Sequence, residues 1–136
     1  RQREELRIVD DQLGSPTFTA DLAEAIFNLL ETSAPHSSPL TPHAPYGLYH
    51  FANQGQCSWH EFAEEIVRLA TQRGTALRVE TIRPISTEEY PLPAPRPTFS
   101  VFSKEKYCQA TGAEIPHWRE SLETYFQIRG NPPQRR

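Results

Sequence analysis

Apolar residues come in short bursts along this chain, and their spacing predicts its elements. Leu6 to Val9 is a brief apolar stretch that reads as a strand. From Asp21 to Leu30, the residues Leu22, Ile26, Leu29 and Leu30 fall on one helical face and predict a first helix. Leu48 to Ala52 reads as a buried strand, and Asn53-Gln54-Gly55-Gln56 as the turn that leaves it. The second helix has the clearest signature. Ser58 and Glu61 form an S-x-x-E capping box, and Trp59, Phe62, Ile66 and Leu69 recur at helical spacing. Gly74 closes it, since glycine tolerates the left-handed geometry of a helix end. Trp59 could stack on a ligand, but that spacing assigns it to the core. Leu77 to Ile82 predicts another strand. Pro84 to Pro97 holds five prolines, too stiff and donor-poor for a helix or a central strand. Ser103 caps a short third helix ending at Gly112, and Pro116 starts a last helix with Trp118, Leu122 and Tyr125 facing inward. Pro35 to Pro45 reads as a surface loop, and Gly130 to Arg136 as a frayed polar tail.

Four helices interspersed with three or so short strands define a small α/β domain, and 136 residues suffice for one. The chain contains no methionine, which sets the expectation that Arg1 lies inside a longer gene product or follows a processing site. No signal peptide or long apolar run argues for secretion or a membrane span. Cys57 and Cys108 lie far apart without metal spacing and read as free thiols of a cytoplasmic protein. The net charge is −3 and the basic residues are scattered, so nucleic acid is not an expected partner. The five histidines show no metal-ligand pattern. His50 falls in the expected strand, and the others read as exposed.

Candidate chemistry gathers in Asp10-Asp11-Gln12-Leu13-Gly14-Ser15-Pro16-Thr17, a polar loop between the first strand and the first helix. Loops on a rigid scaffold are where ligands are gripped, and a helix start beside one offers free N–H groups to a phosphate. A turn plus a helix cap is the plainer account of the same residues. Gln12 offers both a donor and an acceptor to an uncharged ligand edge, or else to its own loop. Asp10 and Asp11 are adjacent, point in different directions and make a poor acid/base pair. Capping is the plainer role for both, with Asp11 a candidate for ligand contact. Ser15 and Thr17 suit a phosphate or a turn-stabilising bond. Arg96, between Pro95 and Pro97, can grip a diphosphate with two parallel bonds; the alternative is a solvated arginine. Trp118, like Trp59, reads as core.

These blocks also resemble a family. Asp10 to Thr17 with Asp21-Leu22-Ala23 looks like the start of the C-terminal half of dTDP-4-dehydrorhamnose reductases, which are extended short-chain dehydrogenase/reductases. Gly47 to Ala52, Ser58 to Ala63, Pro84 to Pro91 with Arg96-Pro97, and Pro116 to Leu122 continue the likeness in family order. The resemblance implies that residues 1–128 are a substrate-binding domain without the complete Rossmann domain, and that 129–136 form a flexible tail. It implies a nucleotide-sugar substrate, with Asp11, Gln12, Ser15, Pro16, Thr17 and Arg96 as the contact residues. It also implies NADPH and a catalytic Tyr-x-x-x-Lys pair, both held by an N-terminal half. Neither the pair nor a glycine-rich dinucleotide fingerprint occurs in this sequence. No ligand set for magnesium stands out either. One departure concerns the family's frequent A-R-R-P, which is Ala94-Pro95-Arg96-Pro97 here. Two other implied readings are a regulatory relative like that of methionine adenosyltransferase and a reductase or epimerase of another nucleotide sugar.

Overall fold

The computed structural model describes residues 4–33 and 46–130. Its elements run β1 (Glu5–Val9), β2 (Leu13–Gly14), α1 (Thr19–Ser33), β3 (Cys57–Ser58), α2 (Trp59–Gln72), β4 (Thr81–Ile85), α3 (Glu105–Thr111) and α4 (Trp118–Gly130). This is the expected α/β arrangement of four helices and short strands. The expected Pro35–Pro45 loop lies outside the described residues, and so does the tail beyond Gly130. Arg129 and Gly130 themselves belong to α4.

β1 and β4 pair in parallel, with Leu6 opposite Ile82 and Val9 opposite Ile85. The strand expected at Leu77–Ile82 therefore sits further along, at Thr81–Ile85. Pro84 is tolerated there because, among the described residues, the sheet has two strands and the position opposite Ile8 carries no second ladder. β2 and β3 form a second, antiparallel pair through Leu13–Ser58 and Gly14–Cys57.

The helix ends follow the sequence closely. Ser58 Oγ accepts the Glu61 N–H at 3.0 Å and caps α2. The capping box is only half made, because the Glu61 carboxylate pairs with Arg119. Gly74 and Gly112 adopt positive φ just past α2 and α3. The N-cap of α3 is Lys104 rather than Ser103, although Ser103 Oγ still accepts the Glu105 N–H at 3.4 Å.

Two apolar clusters form the core. Cys57, Leu69, Trp118 and Leu122 pack with Phe62, Ile66 and Phe126. Ala25, Tyr107 and Ile115 pack with Leu29, Tyr49 and Phe51. Three expectations fail here. Leu22, Ile26 and Leu30 of α1 are exposed, because the inward face is built on Ala25, Asn28 and Leu29. The small Ala25 admits the Tyr107 ring, and Asn28 Nδ2 donates to the Tyr107 hydroxyl at 3.2 Å. Leu48–Ala52 forms no strand among the described residues. Tyr49 and Phe51 still turn inward while Leu48 and His50 stay exposed, an alternation of strand type. Trp59, expected in the core, is 57% exposed, whereas Trp118 is 2% exposed.

Asn53 joins the two clusters. It is 0% exposed. Its Oδ1 accepts the Phe18 N–H at 2.7 Å, and its Nδ2 donates to Asp21 Oδ2 at 2.5 Å and Ser121 Oγ at 2.8 Å. Gln54 completes the joint, donating its N–H to Pro116 O at 2.9 Å and accepting from Trp118 N at 3.0 Å.

Candidate functional site

The Asp10–Thr17 loop is fastened at several points. Asp10 Oδ1 accepts from Ser58 Oγ at 2.5 Å. The Asp11 carboxylate accepts the Thr87 N–H at 2.9 and 3.1 Å and the Thr87 hydroxyl at 2.6 Å. The two neighbouring carboxylates thus serve opposite neighbours, as their adjacency requires. The Thr87 bonds hold the Asp11 carboxyl below its ordinary value. Ser15 Oγ donates to Gly55 O at 2.8 Å. Gly55 has φ of +83°, and a Cβ there would strike the His117 ring, so only glycine fits.

A further fastening brings two predicted site segments together. Leu13 N–H donates to Thr98 O at 2.8 Å, and Ser100 N–H donates to Leu13 O at 2.9 Å. The proline-rich segment that carries Arg96 is therefore stitched directly to the loop, some eighty residues away in sequence. Proline stiffness fixes the segment, and the two backbone bonds fix its place.

Loop and segment together form one wall of a cavity of about 840 Å³. Gln12, Ser15, Pro16, Thr17 and Arg96 line it. Asp11 does not; its exposed carboxylate accepts the Thr87 bonds. Gln12 is 8% exposed, and its Nε2 donates to Thr87 Oγ1 at 3.0 Å, leaving its carbonyl oxygen without a partner among the described residues. Thr17 is exposed and donates to Ser15 O at 3.4 Å. The Arg96 guanidinium is exposed and has no ion pair or hydrogen bond among the described residues.

The opposite lining is aromatic and comes from α2 and α4: Trp59, Phe62, Trp118, Tyr125 and Phe126. Trp59 and Tyr125 are site-lining residues that helical spacing assigns to packing. Spacing identifies a stripe but not what covers it. Arg129 at the end of α4 also lines the cavity, although it falls in the stretch expected to be tail. Among the described residues no aspartate or glutamate lines the cavity.

The start of α1 is less open than its sequence suggests. Asn53 takes the Phe18 N–H, and the Asp21 carboxylate sits in the first turn with Asn53 and Ser121 on it. The anionic charge of Asp21 already complements the helix end. His60 is not exposed as expected: its side chain is 12% accessible, between Asp10 and Glu64 at 3.9 and 3.7 Å. Cys57 and Cys108 are free thiols, and burial pushes the Cys57 thiol up to about 12. Among the described residues no group of histidine, cysteine and acidic side chains is placed to hold a metal ion. No described helix is long and apolar enough to cross a membrane.

Comparisons with known proteins agree with this geometry. The family described as RmlD substrate binding domain matches residues 1–130. The chain is 40% identical over 129 residues to the spore coat polysaccharide biosynthesis protein SpsK of Bacillus subtilis (strain 168), across 95% of this chain and 39% of that protein. It is 39% identical over 124 residues to the dTDP-4-dehydrorhamnose reductase of Burkholderia thailandensis, across 90% and 41%. Among solved structures, the dTDP-4-dehydrorhamnose reductase of Bacillus anthracis, in complex with NADP, superposes with a TM-score of 0.74 at 38% identity, across 93% of this chain and 39% of that one. The Clostridium acetobutylicum orthologue gives 0.77 at 33%, across 95% and 40%. The chain thus spans about two fifths of the length of these relatives. With the family matched from the first residue to the end of α4, the chain belongs to the RmlD substrate binding domain family.

Proposed function

We propose that this chain is the C-terminal, substrate-binding part of a cytoplasmic dTDP-4-dehydrorhamnose reductase. That enzyme would reduce the C4 keto group of dTDP-4-dehydro-L-rhamnose to give dTDP-L-rhamnose. The observation that carries the reading is the single wall made by the Asp10–Thr17 loop and the Arg96 segment, joined through Leu13. The names of the relatives and the NADP held by one of them support it.

The division of labour follows from the residues present. NADPH would supply the hydride, and the part outside this chain would hold it together with the proton-donating tyrosine. The 136 residues contain neither the dinucleotide fingerprint nor the Tyr-x-x-x-Lys pair. This chain's residues bind and orient. Arg96 takes diphosphate oxygens with paired N–H groups, and the Gln12 carbonyl accepts from a base or sugar. Trp59 and Tyr125 exclude water from the opposite side. Nothing in the cleft favours the regulatory-subunit alternative.

The full-length protein should oxidise NADPH only when given dTDP-4-dehydro-L-rhamnose, and the 136-residue chain alone should not oxidise it. Turnover by the chain alone, or indifference of the full-length protein to this sugar nucleotide, would overturn the reading.

A further inference from the structure

The distribution of charge around the cleft is uneven in a way the fold alone does not require. The chain carries 17 acidic residues against 14 basic ones, yet among the described residues this cavity is lined by two arginines and no carboxylate. Outside the cleft, Arg7 pairs with Glu89, Arg68 with Glu65 and Arg119 with Glu61, while Arg73, Arg78 and Arg83 have no ion pair among the described residues. Arg96 and Arg129, the two in the cleft, have no carboxylate partner among the described residues.

Arg129 is nevertheless held in place. Its Nη1 donates to the Tyr125 hydroxyl at 2.6 Å, one turn earlier on α4, and its guanidinium carbon lies 5.9 Å from that ring's centre. The Tyr125 ring is itself set edge-on against Phe18, at 6.2 Å and 78°, and against Phe126, at 5.6 Å and 82°. A tyrosine braced on two phenylalanines thus orients a guanidinium that uses one of its five donors and keeps the rest for a ligand. A last-turn arginine also complements its helix dipole. That role needs no tyrosine brace and no cleft, and it would not respond to a ligand.

We infer that Arg129, oriented by Tyr125, is a second anion anchor of this cleft and binds phosphate oxygens of the same ligand as Arg96. The inference rests on the cleft being a nucleotide-sugar site, and it adds α4 to the elements that hold the diphosphate. Two guanidiniums from separate elements match a ligand carrying more than one phosphoryl group.

Calorimetric titration of the full-length protein with inorganic pyrophosphate, dTDP and thymidine tests it. Arg129→Gln should weaken pyrophosphate and dTDP by about tenfold or more while leaving thymidine unchanged, and Arg129→Lys should recover only part of the loss. Wild-type affinity for dTDP in Arg129→Gln, or a parallel loss of thymidine, would overturn the anchor and leave the nucleotide-sugar reading standing. Pyrophosphate binding that depends on Arg129 without any gain from the thymidine moiety would keep the anchor and sink the nucleotide assignment. A wild-type protein that binds neither anion would overturn both.

Discussion

At the scale of single residues, the two tryptophans separate packing from binding. Both occupy helical positions that suit a core, yet Trp118 is buried and Trp59 stands open in the cleft. Trp118→Ala should cost about 3–5 kcal/mol of stability, whereas Trp59→Ala should cost less than about 1 kcal/mol, read from denaturant midpoints of the two variants. The Asp11 carboxylate gives a second residue-level prediction. Its folded pKa is lowered by the bonds from Thr87, so its stabilisation is present above the ordinary value of 3.8 and is lost as pH falls through the folded value. The wild-type protein should therefore melt above Asp11→Asn at neutral pH, and the gap should close on acidification below 3.8. A gap that widened in acid would contradict a clamp made by Thr87 on the ionised carboxylate. The sequence marks Asp11 as a ligand contact because it sits in the right loop. Only the register of the loop against Thr87 shows that its carboxylate is spent on the fold.

At the scale of elements, the legible features are those with local causes. The Ser58 cap and the Gly74 and Gly112 ends follow from neighbouring residues and appear as read. Features that depend on distant partners are not legible. Periodicity misassigns the α1 face because Ala25, a small residue, marks the side that α3 approaches through Tyr107. Leu48–Ala52 has the strand alternation but no strand beside it among the described residues, and alternation alone does not make a ladder. Asn53, read as part of a turn, is the polar joint of the fold, because its four-armed amide meets groups from α1, α4 and the segment before α4. Asn53→Ala leaves Asp21 and the Phe18 N–H without it and should cost about 2–4 kcal/mol, measured by urea unfolding. A loss under about 0.5 kcal/mol would mean that Asn53 does not tie α1 to α4.

At the scale of the whole molecule, the proposed role of the chain is that of a binding wall, and its sequence lacks the Tyr-x-x-x-Lys pair and the dinucleotide fingerprint. Its family is legible as a set of blocks in order, while the candidate site is legible only in part. Gln12, Ser15, Pro16, Thr17 and Arg96 do converge on one cleft. Trp59 and Tyr125 are assigned to packing because nothing in their spacing distinguishes an open face from a packed one, and Arg129 is read as tail. The most direct test of the account is amide and side-chain NMR of the full-length protein titrated with dTDP. The account predicts that signals of Gln12, Ser15, Thr17 and Arg96 shift together and saturate at one dTDP concentration. Shifts confined to other parts of the protein, with these four unmoved at saturation, would contradict it.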